Sequence, residues 1–294
     1  MSAGGRAAAT PRSGCDVGIV IATCDRGELL LATLERLVAL PERAPVVVVD
    51  NAAPRDLAAI VRAAGHDRRA VEVITLPHDH GPAARTIGSR RLATELVAFC
   101  DDDSWFAPGA LARAADRFAA EPRLGLLQAR VLVGADERLD PTCARVRGSP
   151  ALLGFVACGA VLRRRALLEV GGFAPGRSFG GEERRLALDL ASAGWKAAYD
   201  ADVVAHHHPL PDERRRGRRS SVVRNDLQTA WSRLPWRLAA RATRQAACRR
   251  PLATASALLE LPRALRERRP VSPAVAAALR AIERHERANP VAQE

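Results

Sequence analysis

The stretch Val97-Ala-Phe-Cys-Asp-Asp-Asp-Ser-Trp-Phe106 decides how this chain is read. A short apolar run delivers three consecutive carboxylates, Asp101, Asp102 and Asp103, and an aromatic pair follows at once. Adjacent acids repel one another and favour a hard cation that neutralises them. The end of a buried strand is also where open α/β sheets keep their ligand crevice. An isolated acidic triplet reads equally well as a solvated turn, so its weight comes from the sequence around it.

Upstream, strand and helix signals alternate. Val17–Ala22 reads as a buried strand, and Glu28–Leu40 as a helix with Leu30, Leu34 and Leu37 at helical spacing. Val46–Val49 is a β-branched strand ending in Asp50-Asn51, and Asp56–Ala64 is helical. Val71–Leu76 is a third strand. A His/Gly/Pro loop at 77–82 leads to a helix over 83–94, and Leu96–Cys100 is the fourth strand. This alternation predicts an α/β fold, a mostly parallel sheet with helices on both faces. Downstream, Pro108–Ala120 reads as a helix with proline in its first turn. Leu124–Val133 follows, and Asp136–Pro150 reads as a loop. Beyond Pro211 the chain is helical and arginine-rich, broken near Pro235, Pro251, Pro262 and Pro270.

A chain of 294 residues, 48% hydrophobic and 27% charged, suits one large α/β domain with an appendage. Three parts are expected: a disordered lead-in at 1–15, an α/β domain at 16–211 and a basic helical region at 212–294. That last region holds 19 arginines against 8 acids and so carries +11 of the net charge of +12. Six scattered cysteines, without a CxxC pair, point to reduced and mostly buried thiols in a cytosolic protein. No signal-peptide core and no apolar stretch of about 18 residues occurs. The expected location is therefore the cytoplasm, with any membrane contact peripheral, at the inner face of the plasma membrane.

Four constellations surround the acidic strand. The first strand ends in Ala22-Thr23-Cys24-Asp25-Arg26 and the second in Asp50-Asn51, polar groups able to read a base and ribose. Gly81-Pro-Ala-Ala-Arg85-Thr-Ile-Gly88 opens a helix with a glycine and an arginine, suited to phosphate. Val170-Gly-Gly-Phe173 is followed by Gly180-Gly-Glu-Glu183 at a helix start, and Val203-Val-Ala-His-His-His208 delivers three imidazoles.

In this order the residues resemble the family 2 glycosyltransferases, which share the GT-A fold. The resemblance covers about residues 16–210, with Gly194 eleven residues and His207 twenty-four residues after Glu183. Thr86, His80, Glu183 and Arg185 depart from the family pattern. It implies a nucleotide-diphosphate sugar donor, a hydroxyl acceptor (glycan, lipid-linked or small molecule) and Mn²⁺ or Mg²⁺ as cofactor. Asp101 and Asp103 would then hold the metal, with His207 completing its shell and favouring Mn²⁺ somewhat. Asp101 and Asp102 would also meet the donor, Asp102 near the ribose. Thr23, Arg26 and Asp50 would read the nucleoside, and Arg85 would face the diphosphate. Glu183 is the first choice of general base and Glu182 the second, because neighbours at a helix start cannot both point at one atom. The family reaction is a single inverting displacement. Trp105 and Phe106 suit an acceptor or sugar platform as well as they suit the core.

A non-catalytic nucleotide-sugar binder that kept the fold is the rival of a different class. A sugar-phosphate nucleotidyltransferase falls, because residues 17–28 carry no glycine-rich signature. For the tail, Leu227–Ala247 reads as a basic helix with Leu227, Trp231, Leu234, Trp236 and Leu238 among arginines. An anionic membrane surface ranks first for it and packing on the catalytic domain second. Nucleic acid is a distant third, for no nucleic-acid motif is present.

Overall fold

The structure, a computed structural model, describes residues 16–176, 179–209 and 215–289, and the side chains of 215–219 lie outside that description. The expected lead-in at 1–15, with Cys15, therefore falls outside the described residues.

The chain begins with β1 (Val17–Thr23), α1 (Gly27–Val38), β2 (Val46–Asn51), α2 (Leu57–Ala63), β3 (Val71–Leu76), α3 (Ala83–Arg91) and β4 (Leu96–Cys100). These four strands pair in parallel in the order β3-β2-β1-β4. β1, β2 and β4 are buried along their whole length. Their unbroken apolar runs are what a parallel sheet covered on both faces requires. Alternate residues serve the two faces: Ile19, Ile21 and Val48 meet Leu30, Leu34 and Leu37 of α1, while Val20, Val47 and Val49 meet Ala84 of α3. Gly88 lets α3 close on the sheet, since a Cβ there would lie 2.6 Å from Val20 Cγ1.

Next come β5 (Ser104–Phe106), α4 (Ala110–Ala120), β6 (Leu124–Val133), β7 (Arg138–Leu139), α5 (Pro141–Val146), β8 (Ala160–Arg163), α6 (Arg164–Glu169), α7 (Glu182–Ser192) and β9 (Lys196–His207). They extend the sheet as β4-β8-β6-β9-β5, with β7 beside β6. β8 runs antiparallel to both neighbours, β6 and β9 are parallel, and β5 is antiparallel to β9. The α/β reading holds, and this mixed half brings His207 opposite Ser104.

Two readings downstream differ from expectation. Pro108 stands outside α4, because Gly109 takes φ 82° ahead of the helix. The loop expected at 136–150 contains α5, whose N-terminus is capped by the Asp140 carboxylate on the Thr142 and Cys143 N–H groups with Pro141 in the first turn. In the tail, α8 (Arg215–Arg233), α9 (Trp236–Arg249), α10 (Pro251–Leu258), α11 (Leu261–Arg266) and α12 (Pro273–Ala288) follow. The break expected near Pro235, within Leu227–Ala247, falls between α8 and α9, where the ring removes the N–H that a continuous helix needs.

The apolar side of α8 is turned inward. Leu227, Trp231 and Leu234 form a third core with Leu153, Leu188, Val275 and Leu279. Arg185 reaches Glu267 at 2.8 Å, and Arg233 is paired with Asp189, so the tail is joined to α7 by charge as well. Packing on the sheet domain therefore accounts for Leu227, Trp231 and Leu234, whereas Trp236 stays 58% exposed. No described helix is long and apolar enough to cross a membrane.

Candidate active site

The C-terminal ends of β1, β2, β4 and β9 converge, and there the three adjacent carboxylates take different partners. Asp101 Oδ1 accepts from Arg85 Nη2 at 2.6 Å, and the Asp101 N–H donates to Ser104 Oγ at 2.7 Å. Asp102 turns inward: its carboxylate accepts from Thr23 Oγ1 at 2.7 Å and from Arg26 Nη1 at 3.2 Å. Its carbonyl accepts from Thr33 Oγ1 of α1 at 2.8 Å. Burial raises the Asp102 carboxyl to about 6, against the pull of Thr23 and Arg26. Asp103 Oδ1 lies 3.3 Å from His207 Nε2, and its Oδ2 lies 3.6 Å from Arg26 Nη1. Thr23, Arg26 and Asp102, the residues expected at the nucleoside, thus lie together at the ends of β1 and β4. Asp102 is 5% exposed, and the three side chains hold one another.

Arg85, the residue expected at the diphosphate, is a buried bridge between two carboxylates. It is 3% exposed, with Nη2 on Asp101 and Nη1 3.3 Å from Glu182 Oε1. The rings of Phe173 and Phe179 lie 5.6 and 5.1 Å from its guanidinium carbon. Burial disfavours the cation, but Asp101, Glu182 and Glu183 outweigh it and hold the proton firmly. Arg85 Nε has no partner. The next residue, Thr86, accepts the Phe173 N–H on Oγ1 at 2.9 Å. Gly172 makes that approach possible: its φ is +72°, and a Cβ would sit 2.4 Å from Thr86 Oγ1.

The two glutamates separate. Glu182 is buried, with Oε1 on Arg85 and Oε2 accepting the Gly180 N–H at 2.5 Å. Glu183 instead opens on a cavity of about 580 Å³ whose walls include Thr142, Ser149, Phe155, Asp226 and Leu279. Burial, then the charge of Glu182, raise the Glu183 carboxyl well above the usual range. Asp226 and Leu279 belong to α8 and α12, so the C-terminal helices wall this cavity.

Asp50, opposite Thr23 in the β1–β2 register, is fully buried. Its Oδ1 accepts the Ala53 N–H at 3.1 Å, Oδ2 has no partner, and burial raises its pKa. Asn51 organises the loop at 79–81: its Nδ2 donates to Asp79 Oδ1 at 2.5 Å and its Oδ1 accepts the His80 N–H at 2.8 Å. Trp105 is placed away from this constellation. Its ring stacks on His206, which alternates with His207 across β9, and the Arg36 guanidinium of α1 lies 3.7 Å from its centre. Trp105, the residue expected at the acceptor, is half-buried among these groups, and the neighbouring Phe106 is core.

Ligand atoms of Asp101, Cys158 and His207 all lie within 4.8 Å of one another. Oxygen, sulfur and nitrogen donors from three segments fit a borderline divalent cation. Burial would lower the His207 pKa, but the hydrogen bond and charge of Asp103 raise it. Asp103, expected as a ligand with Asp101 and His207, touches His207, and Cys158 stands beside Asp101 and His207. The sequence shows Cys158 only as a thiol between Ala157 and Gly159, indistinguishable from the other buried cysteines.

Comparison with known proteins follows this geometry. The family model described as glycosyl transferase family 2 matches residues 18–180. The succinoglycan biosynthesis protein ExoU of Rhizobium meliloti is 28% identical over 156 residues. That match takes in 51% of this chain and 44% of the relative, so it spans less than half the relative's length. Among solved structures, the mannosyltransferase PcManGT of Pyrobaculum calidifontis, in complex with GDP-Man and Mn²⁺, superposes with a TM-score of 0.58 at 20% identity. The match covers 94% of this chain and 88% of that one. GalNAc-T7 with UDP, GalNAc and Mn²⁺ gives a TM-score of 0.59 at 15% identity, over 75% of this chain and 48% of its own. The fold is GT-A.

Proposed function

This chain belongs to glycosyl transferase family 2, and on that premise we propose that it moves a glycosyl group from a nucleotide-diphosphate sugar to an acceptor hydroxyl in one inverting displacement. Assembly of an envelope polysaccharide or glycolipid is the setting that suits its likeness to a succinoglycan biosynthesis protein. The observation that carries the reading is the division of labour between neighbours: Glu182 is committed to Arg85 and Gly180, while Glu183 faces the cavity.

The residues then act as follows. Asp50 offers its unpartnered Oδ2 to a donor N–H of the base. Asp101 and His207, with Cys158 beside them and Asp103 steadying His207, would hold Mn²⁺ or Mg²⁺. That ion, when bound, supplies Lewis-acid neutralisation of diphosphate charge. Arg85 holds Glu182 turned away, so that one carboxylate alone meets the acceptor. Glu183 takes the acceptor's proton as its oxygen bonds to the anomeric carbon. The bond from that carbon to the diphosphate oxygen breaks, and its electron pair leaves with the diphosphate. A single displacement inverts the carbon and forms no sugar–enzyme bond.

Calorimetric titration with Mn²⁺ and a panel of GDP- and UDP-sugars tests the donor site. Asp101→Asn and Asp103→Asn should each lose metal-dependent donor binding while keeping a cooperative thermal melt. Undiminished transfer in either variant, insensitive to EDTA, overturns the metal assignment.

A further inference from the structure

Helix α10 is apolar on both sides. Thr254 and Ala257 on its inner side are buried. Its outer side carries Leu252, 86% exposed, and Leu259 just past its end, 81% exposed, with Leu258 between them at 45%. Leu252 and Leu259 are seven residues apart and so share a face, two turns from each other. No charged residue occurs between Arg250 and Glu260. A single exposed leucine is ordinary on a protein surface, but three within eight residues, with only Ala255 and Ser256 exposed between them and no charge, mark a contact.

The surroundings of this face indicate what covers it. Arg249 and Arg250, both exposed, immediately precede the helix. Residues 236–269 hold nine arginines and two glutamates, and Arg237, Arg244, Arg266 and Arg269 among them are exposed as well. Apolar side chains bordered by basic ones match a surface that is hydrocarbon below and anionic above. We propose that α10 docks the protein on an anionic lipid bilayer. Leu252, Leu258 and Leu259 enter the boundary of the acyl chains, and Arg249 and Arg250 meet the headgroup phosphates. The contact thus belongs to α10 and not to α8, whose Leu227 and Trp231 are buried in the protein.

Full-length protein sedimented with vesicles of phosphatidylcholine, with or without phosphatidylglycerol, tests the proposal. The expected result is co-sedimentation with the phosphatidylglycerol vesicles only, reversed near 1 M salt, where the screening length falls to about 3 Å. Leu252→Glu combined with Leu259→Glu should weaken partitioning at least about tenfold with an unchanged melting curve, both positions being exposed. Arg250→Ala should weaken it about fivefold, the factor equivalent to ~1 kcal/mol per basic residue at such a surface. Wild-type indifference to anionic vesicles overturns the proposal, as does a leucine variant that binds as wild type does. A dimer in light scattering that Leu252→Glu dissolves, without vesicle binding, assigns the face to a second copy and also overturns it.

Discussion

The strand-end crevice and the C-terminal helices each bury an arginine against carboxylates, and they finish the task differently. Arg233 is saturated: Nε and Nη2 grip Asp189, and Nη1 donates to the Glu267 carbonyl at 2.9 Å and to that of Ser232 at 3.2 Å. Arg85 leaves Nε without a partner, and Asp50 Oδ2 and His207 Nδ1 in the same crevice are also bare. Among these helices Thr229 Oγ1 shares that condition, but no charged group does among the described residues. Outside both regions Glu42 Oε2 and Arg117 Nε lack a hydrogen-bond partner as well, but buried polar atoms in folded proteins are nearly all paired, so several unpaired charged ones gathered in one crevice mark capacity kept for a ligand. The saturated pair is architecture; the unsaturated one is a site.

The sharpest way to break this contrast is at the two glutamates. Glu183→Gln keeps the shape of the side chain but cannot accept a proton, so turnover should fall roughly 10²–10⁴-fold with donor affinity little changed. Single-turnover kinetics beside donor titration would show it. The same loss in Glu182→Gln alone would transfer the role to the residue now held by Arg85.

On the architectural side, Arg233→Ala leaves Asp189 buried beside a missing partner. Such changes cost about 3–5 kcal/mol, read by chemical denaturation, while donor binding in the folded fraction should be untouched. A large effect on donor affinity with little effect on stability would mean that the two arginines do not divide as described.

The smallest expected effect is on the pH profile. Glu183 has a raised pKa in the folded protein, caused first by burial and then by Glu182. Its contribution to stability is present below the unfolded value of about 4.3 and is lost as pH rises through the folded one. A base must be ionised, so activity runs the other way, appearing as pH rises through that folded value. The acid limb of kcat should therefore lie above the usual carboxylate range. Removing a neighbouring charge with Glu182→Gln should move the limb toward lower pH. A limb that stays put assigns the titration elsewhere.

Much of the fold was legible in the sequence. The bounds of β3 and β4 emerge as read, because short apolar runs between turn residues admit few alternatives. The short helix α5 lies inside the segment 136–150 that reads as a loop, because Asp140-Pro141 suits a turn as well as a cap and first turn. At the site, the strands' delivery of acids was legible but the partners were not. Whether Asp102 faces outward or toward Thr23 depends on how β1 and β4 pair, and the nearness of Cys158 to Asp101 depends on β8 inserting beside β4. Trp105 shows the same limit, since the alternation that sends it away from His207 is set by its register with β9. In the tail, arginines spaced among leucines could not reveal which apolar face the protein would cover, and the structure covers α8 and leaves α10 bare.

The inward turn of Asp102 has one more consequence. A peptide with three successive carboxylates would sample many arrangements, each keeping its charges apart. Here Thr23, Arg26 and the Thr33 hydroxyl at the Asp102 carbonyl pin the middle residue from three directions. The flanking acids are thereby presented in one conformation before anything binds. Folding has already borne the conformational entropy of this strand end, and an arriving ligand needs to give up only its own freedom.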